Sequence, residues 1–258
     1  MSYQNIIVER DEGVGIITLN RPEVLNALSR DLYREVNEAV GEFEADAEVK
    51  VIIFTGMGDR AFSAGADIHE MARNAENPNP PPPNPGGEWF QWNIAACTKP
   101  TIGALNGLAF GGGALMSSSF DIRVGCERTK FRFLAASYGR VNSTWSLPMQ
   151  VGWPKAKELL FTGRLIEAEE AFQIGLLNHL VPSDQLMPKA MEIAKLIAAN
   201  DARMVQGIKE IMMDDVGASW KQMYDIEAEA REGKLTATTV EEGFKDFLDR
   251  KGRKDGGN

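Results

Sequence analysis

Ala61-Phe62-Ser63-Ala64-Gly65-Ala66-Asp67-Ile68 and Gly107-Leu108-Ala109-Phe110-Gly111-Gly112-Gly113 are the two stretches on which the fold turns. Each follows a short run of strand character, VIIFT at 51–55 before the first and TIGAL at 101–105 before the second. Each leads toward a helix, over 111–120 in the second case. Glycines at a strand-to-helix turn allow close backbone approach and leave N–H groups unspent at the helix start, which favours negative charge. Two such N–H groups aimed at one oxygen form an oxyanion hole. Taken singly, each turn fits a packing device equally well, and GLAFGGG lacks the GxGxxG spacing and early position of a dinucleotide site.

Upstream, VGIITLN at 14–20 is a β-branched run bounded by Gly13 and Arg21-Pro22, and it reads as a strand. Leu32, Val36, Ala39, Val40 and Phe43 then recur at helical spacing behind Ser29, an N-cap residue, with an end near Asp46. The unbroken apolar character of VIIFT predicts burial on both faces, and strand–helix–strand predicts a parallel crossover. NPNPPPPNPGG at 77–87 supports neither helix nor sheet; it is a loop, either a surface insertion or a lid. From Trp153 onward helical patterns dominate, over 154–162, 167–173, 183–200 and 204–213. Thr239 and Glu242 have the spacing of a capping box ahead of a last helix through Leu248. The first two-thirds is thus α/β, the remainder helical, with no internal repeat.

With 258 residues, 43% of them apolar, the chain can bury a sizeable core. A formal charge of -9 argues against nucleic acid or an anionic membrane surface as partner, since either requires a concentrated basic face. Cys97 and Cys126 lack metal-ligand spacing, so no metal site and no disulfide framework are expected. The polar N-terminus has no secretory pattern and no apolar run reaches membrane-spanning length, so a soluble, cytoplasmic protein is expected.

Over nearly its whole length the sequence resembles the enoyl-CoA hydratase/isomerase (crotonase) family. The matching phrases are RPEVLNALS (21–29), VIIFTG (51–56), AFSAGADIHEM (61–71), KPTIGALNGLAFGGG (99–113), ELLFTGRLIEAEEA (158–171) and GLLNHLV (175–181), in the family's order and spacing. The resemblance implies an α/β, crotonase-like fold of repeated ββα units: a core at 1–185 carrying the acyl-CoA site, and a helical C-terminal region at 186–258 that supports a homotrimer or a dimer of trimers. It implies an acyl-CoA substrate and no resident cofactor, since CoA travels with the substrate. The hole donors would be the backbone N–H groups of Ala66 and Gly112. Ala64, Asp67, Ile68, His69, Gly111, Leu115, Ala135 and Trp89 would line the substrate. Asp67 is also well placed to cap the following helix, and His69 stands where relatives carry a basic residue near the CoA adenine and phosphates. Trp92 shares with Trp89 the role of a possible pocket wall. Near the C-terminus Phe244, Phe247 and Leu248, followed by Arg250, Lys251, Arg253 and Lys254, would lie beside a neighbouring subunit's CoA, or simply form a solvated helix end.

Hydratases of the family use two glutamates to position water and exchange protons. The first falls here on Leu115 and the second on Ala135. Some relatives place an aspartate after a later glycine, but Gly139 is followed by Arg140-Val141-Asn142-Ser143-Thr144-Trp145, with no acid. Leucine and alanine can neither donate nor accept a proton, so ordinary hydration is not expected. Lyase, isomerase and decarboxylase chemistry supported chiefly by the hole all stay open; decarboxylation of a malonyl-type CoA ester is the alternative in which loss of CO2 generates the enolate without a base at the α carbon. Tyr138, Arg140 and Asn142 are the polar candidates for holding the acyl group. A chain that has lost catalysis and only binds acyl-CoA or scaffolds an assembly is the reading from another class.

Overall fold

The computed structural model describes residues 3–79, 90–245 and 248. Its strands are β1 (Ile6–Asp11), β2 (Val14–Leu19), β3 (Val51–Gly56), β4 (Ala61–Ser63), β5 (Thr101–Leu105), β6 (Leu108–Phe110), β7 (Ile122–Cys126), β8 (Lys130–Arg132), β9 (Ile166–Glu167) and β10 (His179–Val181). Its helices are α1 (Arg30–Ala45), α2 (Ile68–Glu76), α3 (Phe90–Ala96), α4 (Gly112–Ser118), α5 (Leu147–Val151), α6 (Trp153–Thr162), α7 (Ala168–Gln173), α8 (Leu186–Ala198), α9 (Ala202–Asp214), α10 (Trp220–Glu232) and α11 (Val240–Gly243).

The strands form a six-stranded sheet in the order β1-β2-β3-β5-β7-β10 and a four-stranded sheet in the order β4-β6-β8-β9. In the larger sheet every pairing is parallel except β1 with β2, and in the smaller one only β8 with β9 is antiparallel. From β3 to β8 consecutive strands alternate between the sheets, β3 then β4 then α2, and β5 then β6 then α4. These are the ββα units that the resemblance implies, and each glycine-rich turn closes one of them.

Period-two alternation in β3 explains its uninterrupted apolar sequence. Ile52 and Phe54 enter a cluster with α1, Phe62 and Phe131, while Val51 and Ile53 enter a second one with Leu186, Ala190 and Ala194 of α8. Burying both faces of a parallel sheet fixes its register, because a one-residue slip would exchange the two clusters.

The chain divides into two compact units, one up to Asn200 and one from Asp201. α8 belongs to the first unit, where it packs on β3, β5 and β7. In the second unit α9 is N-capped by Asp201, and α10 and α11 begin with capping boxes, Ser219 with Gln222 and Thr239 with Glu242.

Several elements go beyond the sequence reading, among them β7, α5, β1 and α10. β1 lies in a stretch read only as polar; it is an edge strand with Ile6 buried and Glu9 to Asp11 exposed. It is held by buried Glu35 of α1, which accepts from Gln4 N (3.1 Å), Asn5 N (2.7 Å) and Asn5 Nδ2 (3.0 Å). α10 has only Ala230 buried, so no apolar stripe announces it. The last helix has a regular turn at Val240–Gly243, and Leu248 N donates to Phe244 O (2.9 Å) with helical spacing. Of the remaining expectations, residues 80–87 of the proline-rich loop, Trp89 and the basic residues after Leu248 lie outside the described residues, as does Phe247.

Candidate functional site

Two buried asparagines hold the frame of the site. Asn26 donates from Nδ2 to Met57 O (3.1 Å) and Ala61 O (3.0 Å), while its Oδ1 accepts from Arg21 N (3.0 Å). Asn106 donates to Gly56 O (2.8 Å), Gly58 O (2.7 Å) and Ala61 O (3.2 Å) and accepts from Gly56 N (3.1 Å). The connection from β3 to β4 is thus pinned by side chains from two distant segments. Leu25 and Asn26 both have left-handed backbones, φ 55 and 53. That is an unfavourable conformation for leucine, and these bonds hold it in place.

The first glycine turn is stitched to the same segment. Ala64 N donates to Leu25 O (2.9 Å), Leu28 N to Gly65 O (2.7 Å) and Asp67 N to Leu28 O (3.2 Å). Leu28 and Ala66 form a parallel bridge in which the groups flanking Ala66 do the bonding. In extended chain successive N–H groups face opposite ways, so the Ala66 N–H points away from Leu28. Ala66 is exposed.

The second turn meets the first backbone to backbone. Gly65 has φ +94, and a Cβ there would come within 2.6 Å of Phe110 O and 2.9 Å of Gly112 N. Only glycine permits both the conformation and the approach. Gly111 N donates to Arg132 O (2.8 Å), and Gly112 opens α4. Among the described residues, neither Ala66 N–H nor Gly112 N–H has a protein acceptor. A Cβ on Gly112 would occupy a point 3.5 Å from Ala66 N, 3.4 Å from the Tyr33 hydroxyl and 3.2 Å from Leu28 Cδ1. The missing side chain leaves that point open beside two unspent donors.

Asp67 is the N-cap of α2. Its Oδ1 accepts from Glu70 N (3.0 Å) and its Oδ2 from Arg21 Nη2 (3.0 Å), while Arg21 Nη1 donates to Ala27 O (2.7 Å). Burial alone would raise the Asp67 pKa, but the Glu70 N–H and the Arg21 guanidinium outweigh it and hold the carboxyl below its ordinary range. A carboxylate committed to a cap and an ion pair is a structural group. Ile68 and His69 follow on α2, both exposed.

Tyr33, on α1, is half-buried, its ring edge-on to Phe90 with centroids 4.4 Å apart. Burial pushes its hydroxyl up to about 12; a hydrogen bond from Gln91 works against that rise and the charge of Glu70 adds to it.

Of the other sequence candidates, Leu115 is one helical turn from Gly111, its N–H donating to Gly111 O (3.0 Å). Leu115 and Ala135 are each 9% exposed, and neither brings a titratable group. Ala135 O accepts from Tyr138 N (3.1 Å) and Arg140 N (2.8 Å), closing a tight turn that leaves Tyr138 69% exposed and Arg140 at the surface. No hydrogen bond or ion pair engages the Tyr138 or Arg140 side chain among the described residues. Asn142 Oδ1 accepts from Ser143 Oγ (3.2 Å). Trp92 stands edge-on to Trp145 with centroids 5.8 Å apart, both half exposed. Among the described residues no group of three or more His, Cys, Asp or Glu could hold a metal ion, and no helix is long and apolar enough to cross a membrane.

The model of the family described as enoyl-CoA hydratase/isomerase matches residues 9–254. The chain belongs to the enoyl-CoA hydratase/isomerase family. Among curated relatives of the family, it is 34% identical over 254 residues to a crotonyl-CoA hydratase from Syntrophomonas wolfei, covering 97% of each chain. It is 38% identical over 203 residues to a short-chain-enoyl-CoA hydratase from Clostridium acetobutylicum, covering 78% of this chain and 77% of that one. A crystal structure of an enoyl-CoA hydratase from Bacillus anthracis superposes with a TM-score of 0.85 at 30% identity, over 96% and 97% of the two chains. The ββα architecture of this chain is therefore the family's fold.

The structure also brings in residues that were not singled out from sequence: Arg21, Asn26, Tyr33, Gln91 and Asn106. Asn26 and Asn106 stand inside the family phrases RPEVLNALS and KPTIGALNGLAFGGG, as amides among apolar residues just ahead of a turn. That placement was the available signal. Tyr33 carried none, since only the folded chain brings α1 beside the glycine turn.

Proposed function

We propose that the chain binds an acyl-CoA thioester with its carbonyl oxygen between the N–H groups of Ala66 and Gly112, and stabilises the enolate that forms when charge moves onto that oxygen. The observation that carries this reading is the pair of unspent donors flanking the point left open by Gly112. Donors fixed by the fold before charge develops need not reorganise during reaction, and each is worth about 3 kcal/mol in related sites. Side-chain identity matters little for a backbone donor. The glycines matter because they leave room.

Which reaction supplies the enolate is argued from what stands at 115 and 135. Adding water across a C=C bond needs an acid and a base within hydrogen-bond reach, and Leu115 and Ala135 offer neither. This favours decarboxylation of a malonyl-type CoA ester over hydration. The bond from the α carbon to the carboxylate breaks, its electron pair moves into the enolate, CO2 leaves, and water supplies the proton that the α carbon takes up. A carboxylate facing the substrate's own would oppose binding, so apolar residues at both positions suit this substrate. Exposed Tyr138 and Arg140 and half-buried Asn142 are proposed to receive the acyl end, and Ala64, Ile68, His69 and Gly111 to border the ligand. A homotrimer or dimer of trimers is proposed from the family resemblance.

Mass-spectrometric turnover of crotonyl-CoA, longer 2- and 3-enoyl-CoAs, malonyl-CoA and methylmalonyl-CoA tests the assignment. CO2 loss from a malonyl thioester with crotonyl-CoA left intact is the expected outcome. Hydration of crotonyl-CoA at an ordinary enzymatic rate contradicts it, and tight binding without any turnover would favour the binding-protein reading.

A further inference from the structure

We propose that the Tyr33 hydroxyl is a third hydrogen-bond donor to the same thioester oxygen, supplied by a side chain of α1 beside the two backbone N–H groups. The proposal rests on the oxyanion-hole reading above and adds a residue to it. One point in space joins the three groups: the position that a Cβ on Gly112 would take lies 3.4 Å from Tyr33 Oη and 3.5 Å from Ala66 N. It is one bond from Gly112 Cα, so Gly112 N is close by as well. An oxygen seated just beyond that point, at van der Waals distance from Gly112 Cα, is within reach of the phenol as well as of the amides.

The surroundings suit the hydroxyl to donation. The neighbouring Gln91 amide opposes the rise in the phenol's pKa, the effect of a donor facing its oxygen, and the phenol's own hydrogen is left to offer elsewhere. Burial and the negative charge of Glu70 keep the group neutral at every working pH. A weak acid kept neutral donates a hydrogen bond without surrendering its proton, and it gains most when the acceptor becomes an anion. The edge-on contact with Phe90 restrains the ring, so the donor is held in place before the oxygen acquires charge. Leu28, 3.2 Å from the same point, provides an apolar wall that strengthens these bonds.

The test compares two CoA analogues on the intact protein and on Tyr33→Phe, which keeps the ring and its contact with Phe90. One analogue carries a nitroalkyl group, whose nitronate anion is isosteric with a thioester enolate; the other is a thioether without the carbonyl. Wild type should bind the nitronate form more tightly. In Tyr33→Phe that preference should shrink by about tenfold or more, with thioether binding within about twofold of wild type. An unchanged preference in Tyr33→Phe, or an equal loss for both analogues, overturns the role of Tyr33 and leaves the backbone hole standing. A wild type with no preference for the nitronate overturns both. If Tyr33→Phe does not fold, 3-fluorotyrosine at position 33 serves instead: a more acidic hydroxyl should tighten the nitronate form alone, and an unaltered ratio overturns the proposal.

Discussion

Gly112 is defined by the space its missing side chain leaves open. A methyl group there would meet Leu28 Cδ1 at 3.2 Å, a contact that a flexible side chain can relieve, so Gly112→Ala should fold. It would nevertheless fill the point between the donors. Steady-state kinetics should show kcat/KM falling by about a hundredfold, with the thermal midpoint nearly unchanged. Asp67 is the converse case, a residue whose loss acts first on structure. Asp67→Ala removes the cap of α2 and the partner of Arg21, and urea denaturation should show a loss of about 1 kcal/mol from the cap. The sign of its pH dependence follows from its depressed pKa. The folded state favours the carboxylate and the unfolded chain takes up the proton first as pH falls. The contribution is therefore fully present above the ordinary aspartate range and is lost as pH drops through the folded value. Wild type should lose stability over that acid interval more steeply than Asp67→Ala; parallel curves would contradict the ion pair.

At the scale of elements, the site depends on β4 and α4 being held by their neighbours rather than by their own length. β4 has only three residues, and its preceding turn hangs on Asn26 and Asn106. Asn106→Ala should cost about 2–3 kcal/mol by chemical denaturation, because it strands a buried Gly56 N–H as well as carbonyl groups. It should also lower activity by loosening the Ala66 loop. What was legible in the sequence follows the same division. β2, β3, β5, α1 and the glycine turns were readable because burial imposes an apolar period or a glycine on each. β1 and α10 were not, since the first alternates weakly at an edge and the second exposes Trp220 and Tyr224. Ala66 and Gly112 could be named from the family phrases, whereas Tyr33 could not, because its neighbours come from α3 and α4, far along the chain. Tyr138, Arg140 and Asn142 stand out in the sequence only by polarity; in the fold Tyr138 and Arg140 are exposed and Asn142 is half-buried.

The molecule as a whole puts chemistry where two sheets hand over to helices. Its ordered core lies in the unit up to Asn200, and the helices from Asp201 form a second compact unit. Light scattering should report three or six chains; a monomer at micromolar concentration would contradict the proposed assembly. The central claim, that two backbone N–H groups receive the thioester oxygen, is tested most directly by infrared difference spectroscopy of bound butyryl-CoA labelled with 13C at its carbonyl. Hydrogen bonding from Ala66 and Gly112 should move the C=O stretch to lower frequency than in free butyryl-CoA, and Gly112→Ala should return it toward the solution value. A bound carbonyl at the solution frequency in wild type, or a shift that survives Gly112→Ala unchanged, would contradict it.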